Sequence, residues 1–226
     1  VNTATIAVNG RTIERRSPPL ILTPSAPPPG SDSERPEVTS VEIAGGDVQT
    51  DRDVTLNIAA TDNVGVVKMQ VQEWVLDRGA RPPRWRVVQQ SGLIDYQTSL
   101  PWTLTDQPGT HYIGVWAQDA AGNYSVLDRG DIDFASLLLP NSSVGQREAT
   151  PYLVRLEQGQ NVSAALTTST GDADLYVWYP GGFGRPDKRS IVEGQGGDSV
   201  SFSAPTTGTY VFMVYGFEAA TYSLSI

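Results

Sequence analysis

The sequence has 226 residues, a net charge of −9, no cysteine and a single histidine. This composition excludes disulfides, thiol nucleophiles, haem and zinc sites built from cysteine or several histidines. The acidic balance also argues against general nucleic-acid binding, which needs a basic surface. Glycine and proline contribute 22 and 16 residues, which favours short strands over long helices. No run approaches about 18 apolar residues, so we expect no membrane span.

Residues 1–35 are predicted to form an extended N-terminal arm. The alternation from Val1 to Val8 is typical of a β-strand, and Asn9-Gly10 is a strong hairpin signal because both residues of a type I′ turn need positive φ. The following prolines favour polyproline II rather than a packed core. Either the chain's own domains or a neighbouring chain must hold such an arm, and we expect it to add a strand to a neighbouring copy. The expected contact residues are Thr3, Thr5, Ile6, Val8, Leu20, Ile21 and Leu22.

Residues 36–137 contain short strand candidates separated by turn signals such as Pro108-Gly109. Short alternating strands at regular spacing, about seven in an Ig-like sandwich, indicate an antiparallel β-sandwich. The candidates are Thr39–Ile43, Val54–Ala59, Val66–Val75, Arg84–Gln89, Leu100–Leu104 and His111–Gln118. In two segments, Ala60–Val66 and Ala117–Ser125, this part of the chain resembles the bacterial Ig-like or fibronectin-III-like modules of secreted proteins.

A linker is predicted at 138–149 and a second β-sandwich at 150–226. The second part contains the segments GDADLYV (171–177), APTTGTYV (204–211) and TYSLSI (221–226). In order and spacing these segments resemble the bacterial pre-peptidase C-terminal domain. The resemblance implies a jelly-roll-like sandwich without catalytic activity, found beside secreted peptidases and in other exported proteins, with some members binding collagen or other insoluble polymers. The chain is thus predicted to be all-β, with two tandem antiparallel sandwiches after an extended arm.

Acidic residues in turns suggest calcium, which takes several carboxylate and carbonyl oxygens at loop ends. Asp62, Asp119 and Asn123 fall on loops that lie at one end of an Ig-like sandwich. Asp172 and Asp174 match the turn that contributes to calcium binding in some relatives of the pre-peptidase C-terminal domain. Those relatives also use an acidic segment just before the domain, whereas residues 141–148 contain one acid here. The alternative role for all five residues is turn capping.

Aromatic residues in the second sandwich suggest a binding surface. Tyr176 and Trp178 share one face of a predicted strand, and Phe183 follows in the next loop. If the aliphatic face of this strand is core, both rings face outward, as in surfaces that bind sugars or collagen. The alternative is that a loop or the N-terminal arm covers one of them.

The segment 74–86 places four arginines and two tryptophans around a predicted hairpin. Arg84 and Trp85 are the candidate residues for contact with an anionic polymer or an acidic neighbour. A solvated hairpin with internal cation–π stacking is the alternative. His111 would have to serve any Ser-His-Asp triad, but the chain lacks a Gly-x-Ser-x-Gly segment and strand alternation explains this histidine. The sequence also contains pairs of acidic residues. From the sequence alone, the two carboxylates that glycoside hydrolysis needs cannot be told from acids that cap turns.

The sequence therefore predicts a secreted, non-enzymatic structural or adhesive protein at the bacterial cell surface or outside the cell. We expect copies of the chain to assemble through the N-terminal strand, in the manner of a filament. The alternative is the C-terminal accessory region of a secreted peptidase or glycan hydrolase, which binds collagen or a polysaccharide through Tyr176 and Trp178. Calcium is the one cofactor that the sequence suggests.

Overall fold

The computed structural model is all-β, which confirms the predicted fold class. Its sheets consist mainly of antiparallel strands. Across the described parts of the chain, no helix is long and apolar enough to cross a membrane. The structure describes residues 3–8 and 11–16 as strands, and residues 32–77, 80, 84–127, 130–182 and 184–226 in full.

A strand pair lies at the N-terminus, as the sequence predicts. Strand β1 (Thr3–Val8) pairs antiparallel with β2 (Arg11–Arg16) over six residues, and the two form a sheet of their own. The expected contact residues on β1 are Thr3, Thr5, Ile6 and Val8. The three remaining expected contact residues, Leu20, Ile21 and Leu22, lie outside the described residues. Assembly through this arm stays a prediction.

The first sandwich consists of two sheets built from eight strands. These are β3 (Glu37–Ile43), β4 (Val48–Gln49), β5 (Asp53–Thr61), β6 (Val66–Asp77), β7 (Arg84–Asp95), β8 (Ser99–Thr103), β9 (Gly109–Asp119) and β10 (Ile132–Leu137). One sheet has the order β3-β5-β8 and the other β4-β10-β9-β6-β7. Strands β4 and β10 run parallel, and the other neighbours antiparallel. The assignment of this sandwich to an Ig-like family stays a prediction.

Alternation of apolar and polar residues builds the core between these sheets. In β5, Val54, Leu56 and Ile58 are buried between outward-facing neighbours, as expected for a strand with one face on a core. From the opposite sheet, Val71 and Val115 complete the same apolar cluster. The core thus explains why the alternating segments of the sequence become strands.

The second sandwich consists of two four-stranded sheets. Its strands are β11 (Ser142–Val144), β12 (Ala149–Leu156), β13 (Asn161–Thr170), β14 (Ala173–Trp178), β15 (Lys188–Ser190), β16 (Gly197–Ser203), β17 (Gly208–Gly216) and β18 (Ala220–Ser225). The sheet orders are β11-β18-β13-β16 and β12-β17-β14-β15. Tyr152 and Tyr222 are buried between the sheets, and their hydroxyl oxygens lie 2.7 Å apart. This hydrogen bond joins one sheet to the other inside the core.

The two sandwiches contact each other through β9, β10 and β12. The backbone N–H of Leu153 donates to Thr110 Oγ1 at 2.9 Å. Arg155 Nη1 lies 2.8 Å from Asp133 Oδ1 and 3.2 Å from Asp47 Oδ1, so one guanidinium of the second sandwich pairs with two carboxylates of the first. These directional contacts fix β12 against the first sandwich.

Residues 138–149, predicted as a linker, take part in both sandwiches. Leu138 is buried in the second core and Leu139 packs against the first. Strand β11 pairs with β18 at the edge of a second-sandwich sheet, and Val144 of this strand is buried. The segment between the two cores is therefore short and well packed.

Candidate functional site

Three carboxylates meet at one end of the first sandwich. Asp32 precedes β3, Asp62 follows β5 and Asp119 ends β9, and one oxygen of each lies within 4.8 Å of the others. Asn123 Nδ2 donates to Asp119 Oδ2 at 2.7 Å and to the backbone oxygen of Asp32 at 3.1 Å. The structure thus brings together Asp62, Asp119 and Asn123, the residues predicted as metal ligands, and adds Asp32, which the sequence places in the arm.

The turns hold these carboxylates in defined orientations. Asp62 Oδ2 accepts the backbone N–H of Gly65 at 2.8 Å, and Asp119 Oδ1 accepts that of Gly122 at 2.7 Å. Burial by itself would raise the pKa of Asp119, but hydrogen bonds from Asn123 and Gly122 outweigh burial and hold this pKa below its usual range. Turn capping therefore accounts for one oxygen of Asp62 and one of Asp119.

Other oxygens of the same cluster have no such role. Asp32 Oδ2 and Asp62 Oδ1 are shielded from solvent and have no hydrogen-bond partner. Shielding a carboxylate oxygen that has no hydrogen-bond partner costs folding free energy, and the neighbouring carboxylates repel one another. A bound Ca²⁺ ion would offset both effects, because it takes carboxylate and carbonyl oxygens. The donor set of Asp32, Asp62 and Asp119 thus fits Ca²⁺ chemically.

The second predicted calcium turn lies at the start of β14. Gly171 adopts φ +73°, and a Cβ at this position would collide with the carbonyl oxygen of Ala219, so the turn requires glycine. It carries Asp172 and Asp174, both 8% exposed. They line a cavity of about 620 Å³ together with Ile191, Glu193, Gly194, Phe217 and Glu218.

The electrostatics of this turn differ from those of the first cluster. Asp172 Oδ1 is shielded without a partner, whereas Asp174 Oδ2 accepts the hydroxyl of Tyr176 at 3.0 Å. Burial raises the pKa of Asp174, and the nearby charges of Asp172 and Asp198 raise it further. Among the described residues, no third acid forms with Asp172 and Asp174 a cluster as tight as the first. Calcium binding here stays a prediction.

Aromatic side chains lie on the outer face of the sheet β12-β17-β14-β15. Leu175 and Val177 are fully buried, so Tyr176 and Trp178 point outward, as the alternation predicts. Their ring centroids are 6.1 Å apart with 33° between the planes, and Tyr215 of β17 lies 6.3 Å from Tyr176. The three rings form one cluster on the solvent side of the sheet.

Hydrogen bonds within the chain hold two of these rings in place. The hydroxyl of Tyr176 donates to Asp174, and Trp178 Nε1 donates to the backbone oxygen of Gly184 at 3.1 Å. Burial and the bond to Asp174 raise the pKa of Tyr176 to about 12, so its hydroxyl stays protonated. Both side chains are half-buried. Phe183 lies outside the described residues.

Trp85 and Arg84, the other predicted polymer contacts, lie on the first sandwich. Trp85 is 41% exposed, and its ring meets Tyr112 edge-on with centroids 4.4 Å apart. Among the described residues, the cation–π contact that is present involves Arg155, whose guanidinium carbon lies 4.2 Å from the ring centre of Phe134. The predicted polymer-binding residues therefore fall on two surfaces, one on each sandwich.

His111 lies in the interior of the first sandwich and is fully buried. Its Nδ1 is 2.8 Å from Glu73 Oε1, and its Nε2 is 2.7 Å from the backbone oxygen of Gln107. Burial alone would raise the pKa of Glu73, but hydrogen bonds from His111 and Thr105 lower this pKa below its usual value. Both ring nitrogens are thus engaged in a buried network, which agrees with the structural role predicted for this histidine.

No curated protein matches the sequence. Among solved structures, a chitinase from Bacillus thuringiensis is 15% identical, with 86% of this chain and 29% of that chain covered and a TM-score of 0.33. An α-L-rhamnosidase from Streptomyces avermitilis is 13% identical, with 84% and 23% covered and a TM-score of 0.34. An α-L-rhamnosidase from Aspergillus terreus is 10% identical, with 84% and 26% covered and a TM-score of 0.33. The chain spans less than a third of the length of each.

A family model, that of the bacterial pre-peptidase C-terminal domain, matches residues 148–216. The match includes two of the three segments on which the resemblance rests, 171–177 and 204–211, and ends before the third, 221–226. Domains of this family are non-catalytic accessory domains and occur in secreted bacterial proteins. The C-terminal part of this chain therefore carries a bacterial pre-peptidase C-terminal domain.

Proposed function

We propose that this chain is a non-catalytic accessory module of a secreted protein and that it binds an extracellular polymer. The binding surface is the outer face of β14 and β17. The observation that carries this proposal is the cluster of Tyr176, Trp178 and Tyr215, whose rings lie side by side on the solvent side of one sheet. Aromatic rings supply large contact areas at a low cost in conformational entropy.

The residues around these rings extend the surface. Met213 lies opposite Tyr176 and Val211 lies opposite Trp178 on the neighbouring strand, and both are half-buried. We call Tyr176, Trp178, Val211, Met213 and Tyr215 the second-sandwich aromatic face. Because β-strands hold these side chains in one plane, the face suits an extended ligand such as collagen or a polysaccharide better than a compact small molecule.

The proposal is tested by co-sedimentation of the full chain with insoluble collagen, chitin and cellulose. We expect binding to at least one polymer, and Tyr176→Ala and Trp178→Ala should each weaken it by about tenfold, the usual effect of removing a central aromatic contact. Tyr124→Ala is the matched control, since this ring is 42% exposed on the first sandwich. Binding that survives both substitutions in folded protein would disprove the role of this face.

The N-terminal strand pair supports a second candidate function, assembly by strand addition. Because β1 and β2 form a two-stranded sheet, each has an edge that pairs with no other described strand. A neighbouring copy could extend this sheet. Deletion of residues 1–22 tests this candidate: a wild type that stays monomeric at high concentration, or an assembly that the deletion leaves unchanged, excludes it.

A further inference from the structure

The five-stranded sheet of the first sandwich has an aromatic outer face of its own. Trp74 of β6, Tyr112 of β9 and Phe134 of β10 are direct neighbours across three strands. The ring of Trp116 lies 5.7 Å from that of Trp74, and Trp85 meets Tyr112 edge-on. We call these five residues the first-sandwich aromatic face. None of them belongs to the apolar core between the sheets, so packing of that core does not explain them.

A small residue gives the face its shape. A Cβ at Gly114 would lie 2.6 Å from Cζ3 of Trp74, so the six-membered ring of this tryptophan occupies the space directly over the glycine. The indole thus lies against the sheet rather than standing away from it. Beside it is a cavity of about 280 Å³, lined by Trp74, Trp85, Tyr112, Leu127 and Ile132.

Neutral amides border the aromatic rings. Gln70 lies directly opposite Trp116, and Gln72 lies opposite Gly114, on the same outward side of β6 as Trp74. Gln72 Nε2 donates to Gln90 Oε1 at 3.3 Å. A primary amide offers two donors and one acceptor, so this contact uses only part of the capacity of Gln72. The face therefore combines ring surfaces with donors and acceptors that carry no charge.

Among the described residues, two of the charged groups that border the face are paired, and the exposed Arg84 and Arg86 alternate with Trp85 along β7, so they lie on the opposite side of that strand. Lys68 Nζ lies 2.6 Å from Asp95 Oδ1 at one end. At the other end Arg155, which covers Phe134, pairs with Asp47 and Asp133. With these two borders paired and the arginines of β7 on the other side of their strand, the net charge of −9 favours a neutral polymer over an anionic one.

We infer that the first-sandwich aromatic face is a binding site for a neutral polysaccharide. The apolar C–H face of a sugar ring stacks on Trp74, Trp85 or Trp116, and its hydroxyl groups bond to the amides of Gln70 and Gln72. A purely apolar peptide would leave these amides without partners, and an anionic ligand would meet no unpaired cation among these border groups. This site goes beyond the proposed function, because it lies on the other sandwich and uses different residues.

The site continues toward the second sandwich. Tyr112, Leu127 and Ile132 also line a groove at the domain junction, together with Phe134, Leu153, Arg155 and Thr209. Leu153 lies opposite Val211, which in turn lies opposite Trp178. A linear polysaccharide that leaves the first-sandwich aromatic face is therefore directed across β12 toward the second-sandwich aromatic face. Two linked sites on one polymer strengthen binding by raising the effective concentration.

Affinity electrophoresis of the full chain tests this inference. The gels contain neutral hydroxyethylcellulose, galactomannan, glycol chitin or starch, and carboxymethylcellulose provides the same backbone as hydroxyethylcellulose with negative charge. We expect retardation by at least one neutral polysaccharide and a weaker effect of the charged one. Trp85→Ala and Gln72→Ala should each weaken the binding by about fivefold or more. Phe217→Ala, which removes a ring that is 62% exposed on the second sandwich, should not.

The outcomes separate this inference from the proposed function. Trp85 lies on an edge strand and Gln72 is a half-buried surface residue, so both variants are expected to fold, which a melting curve checks. Lack of retardation in every neutral gel, stronger retardation by carboxymethylcellulose, or unchanged binding of both variants would each overturn the inference. If Trp178→Ala abolishes binding to collagen or cellulose while Trp85→Ala and Gln72→Ala do not affect it, the inference fails and the proposed function stands.

Discussion

The buried carboxylate of Glu73 joins the two sheets of the first sandwich. From β6, its Oε2 accepts the indole N–H of Trp102 on β8, at 3.0 Å. Its Oε1 accepts the backbone N–H of Thr105 at 3.0 Å and lies 2.8 Å from His111 Nδ1. Because both oxygens are used and the residue is fully buried, the carboxylate acts as a fixed acceptor between elements.

Glu73→Gln should lower the free energy of unfolding by about 1–3 kcal/mol at pH 7, because the new amide group faces the N–H of Trp102 and leaves this donor without an acceptor. The pKa of Glu73 is lower in the folded protein than its usual 4.5. The carboxylate therefore stabilises the fold above that value, and its contribution fades as the pH falls through the lowered pKa. Urea unfolding at pH 7 and at acidic pH measures both effects.

Exposed Glu42 provides the control for this substitution. Glu42→Gln should leave the unfolding free energy nearly unchanged at either pH. A Glu73→Gln variant as stable as the wild type at pH 7, or a difference that grows as the pH falls, would contradict the role given to this carboxylate.

The cluster of Asp32, Asp62 and Asp119 predicts stabilisation by calcium. A cation that binds the folded chain alone raises its stability, and for a domain of about 100 residues each kcal/mol corresponds to roughly 4–8 °C in Tm. We therefore expect millimolar Ca²⁺ to raise the Tm by about 4 °C or more, with a smaller effect of Mg²⁺. Asp62→Asn should abolish the increase, and Asp106→Asn, at an exposed acid outside the cluster, should retain it. A Tm that does not respond to Ca²⁺ would exclude the site.

The turn before β14 depends on a glycine, Gly171, for both its backbone conformation and its close packing. Gly171 and Gly159 both have positive φ, of +73° and +85°. A Cβ at Gly171 collides with the backbone of Ala219, whereas a Cβ at Gly159 meets nothing within 4 Å. Both positions favour glycine because their φ angles are positive. At Gly171 the close approach of the Ala219 backbone also leaves no room for a Cβ.

Gly171→Ala should therefore destabilise the protein more than Gly159→Ala. The second substitution costs the left-handed conformation alone, about 1 kcal/mol, whereas the first adds a collision with rigid backbone and should cost at least about 2 kcal/mol. Urea unfolding of the two variants gives the comparison. Equal losses would show that the packing of Ala219 against this turn is not a constraint.

The burial of strand β10 could not be predicted from the local sequence. The alternation in β5 and β14 predicts these strands, and in β14 it also predicts the outward side chains of Tyr176 and Trp178. In β10 five consecutive residues are buried, because one face lies on the core while Arg155 covers Phe134 on the other. A strand covered on both sides has no alternating pattern. Its second cover comes from the other sandwich, so this burial depends on a domain contact that no local pattern reveals.

The cluster of Asp32, Asp62 and Asp119 likewise depends on a contact between distant parts of the chain. Asp62, Asp119 and Asn123 could be predicted because they stand in turns between strands of one sandwich. Asp32 follows a proline-rich segment with no periodic pattern, and only the fold brings its side chain next to Asp62 and Asp119. Predicting the residue types at a site is thus easier than predicting a contribution from a distant segment.

The contact between the two sandwiches sets the arrangement of the two aromatic faces in the whole molecule. The pairing of Arg155 with Asp47 and Asp133 holds β12 against the first sandwich. The two aromatic faces thereby lie on sheets that meet at one junction rather than on independent domains. We propose that this arrangement lets a long polymer contact both faces at once.

Contact between the second-sandwich aromatic face and the polymer can be measured by hydroxyl-radical footprinting. Oxidation of Tyr176, Trp178 and Met213 is measured in the full chain, free and bound to the polymer that it sediments with. We expect oxidation of these three side chains to fall on binding, while that of Phe217, which is 62% exposed, stays the same. Unchanged oxidation of Tyr176 and Trp178 in the bound chain would contradict this contact.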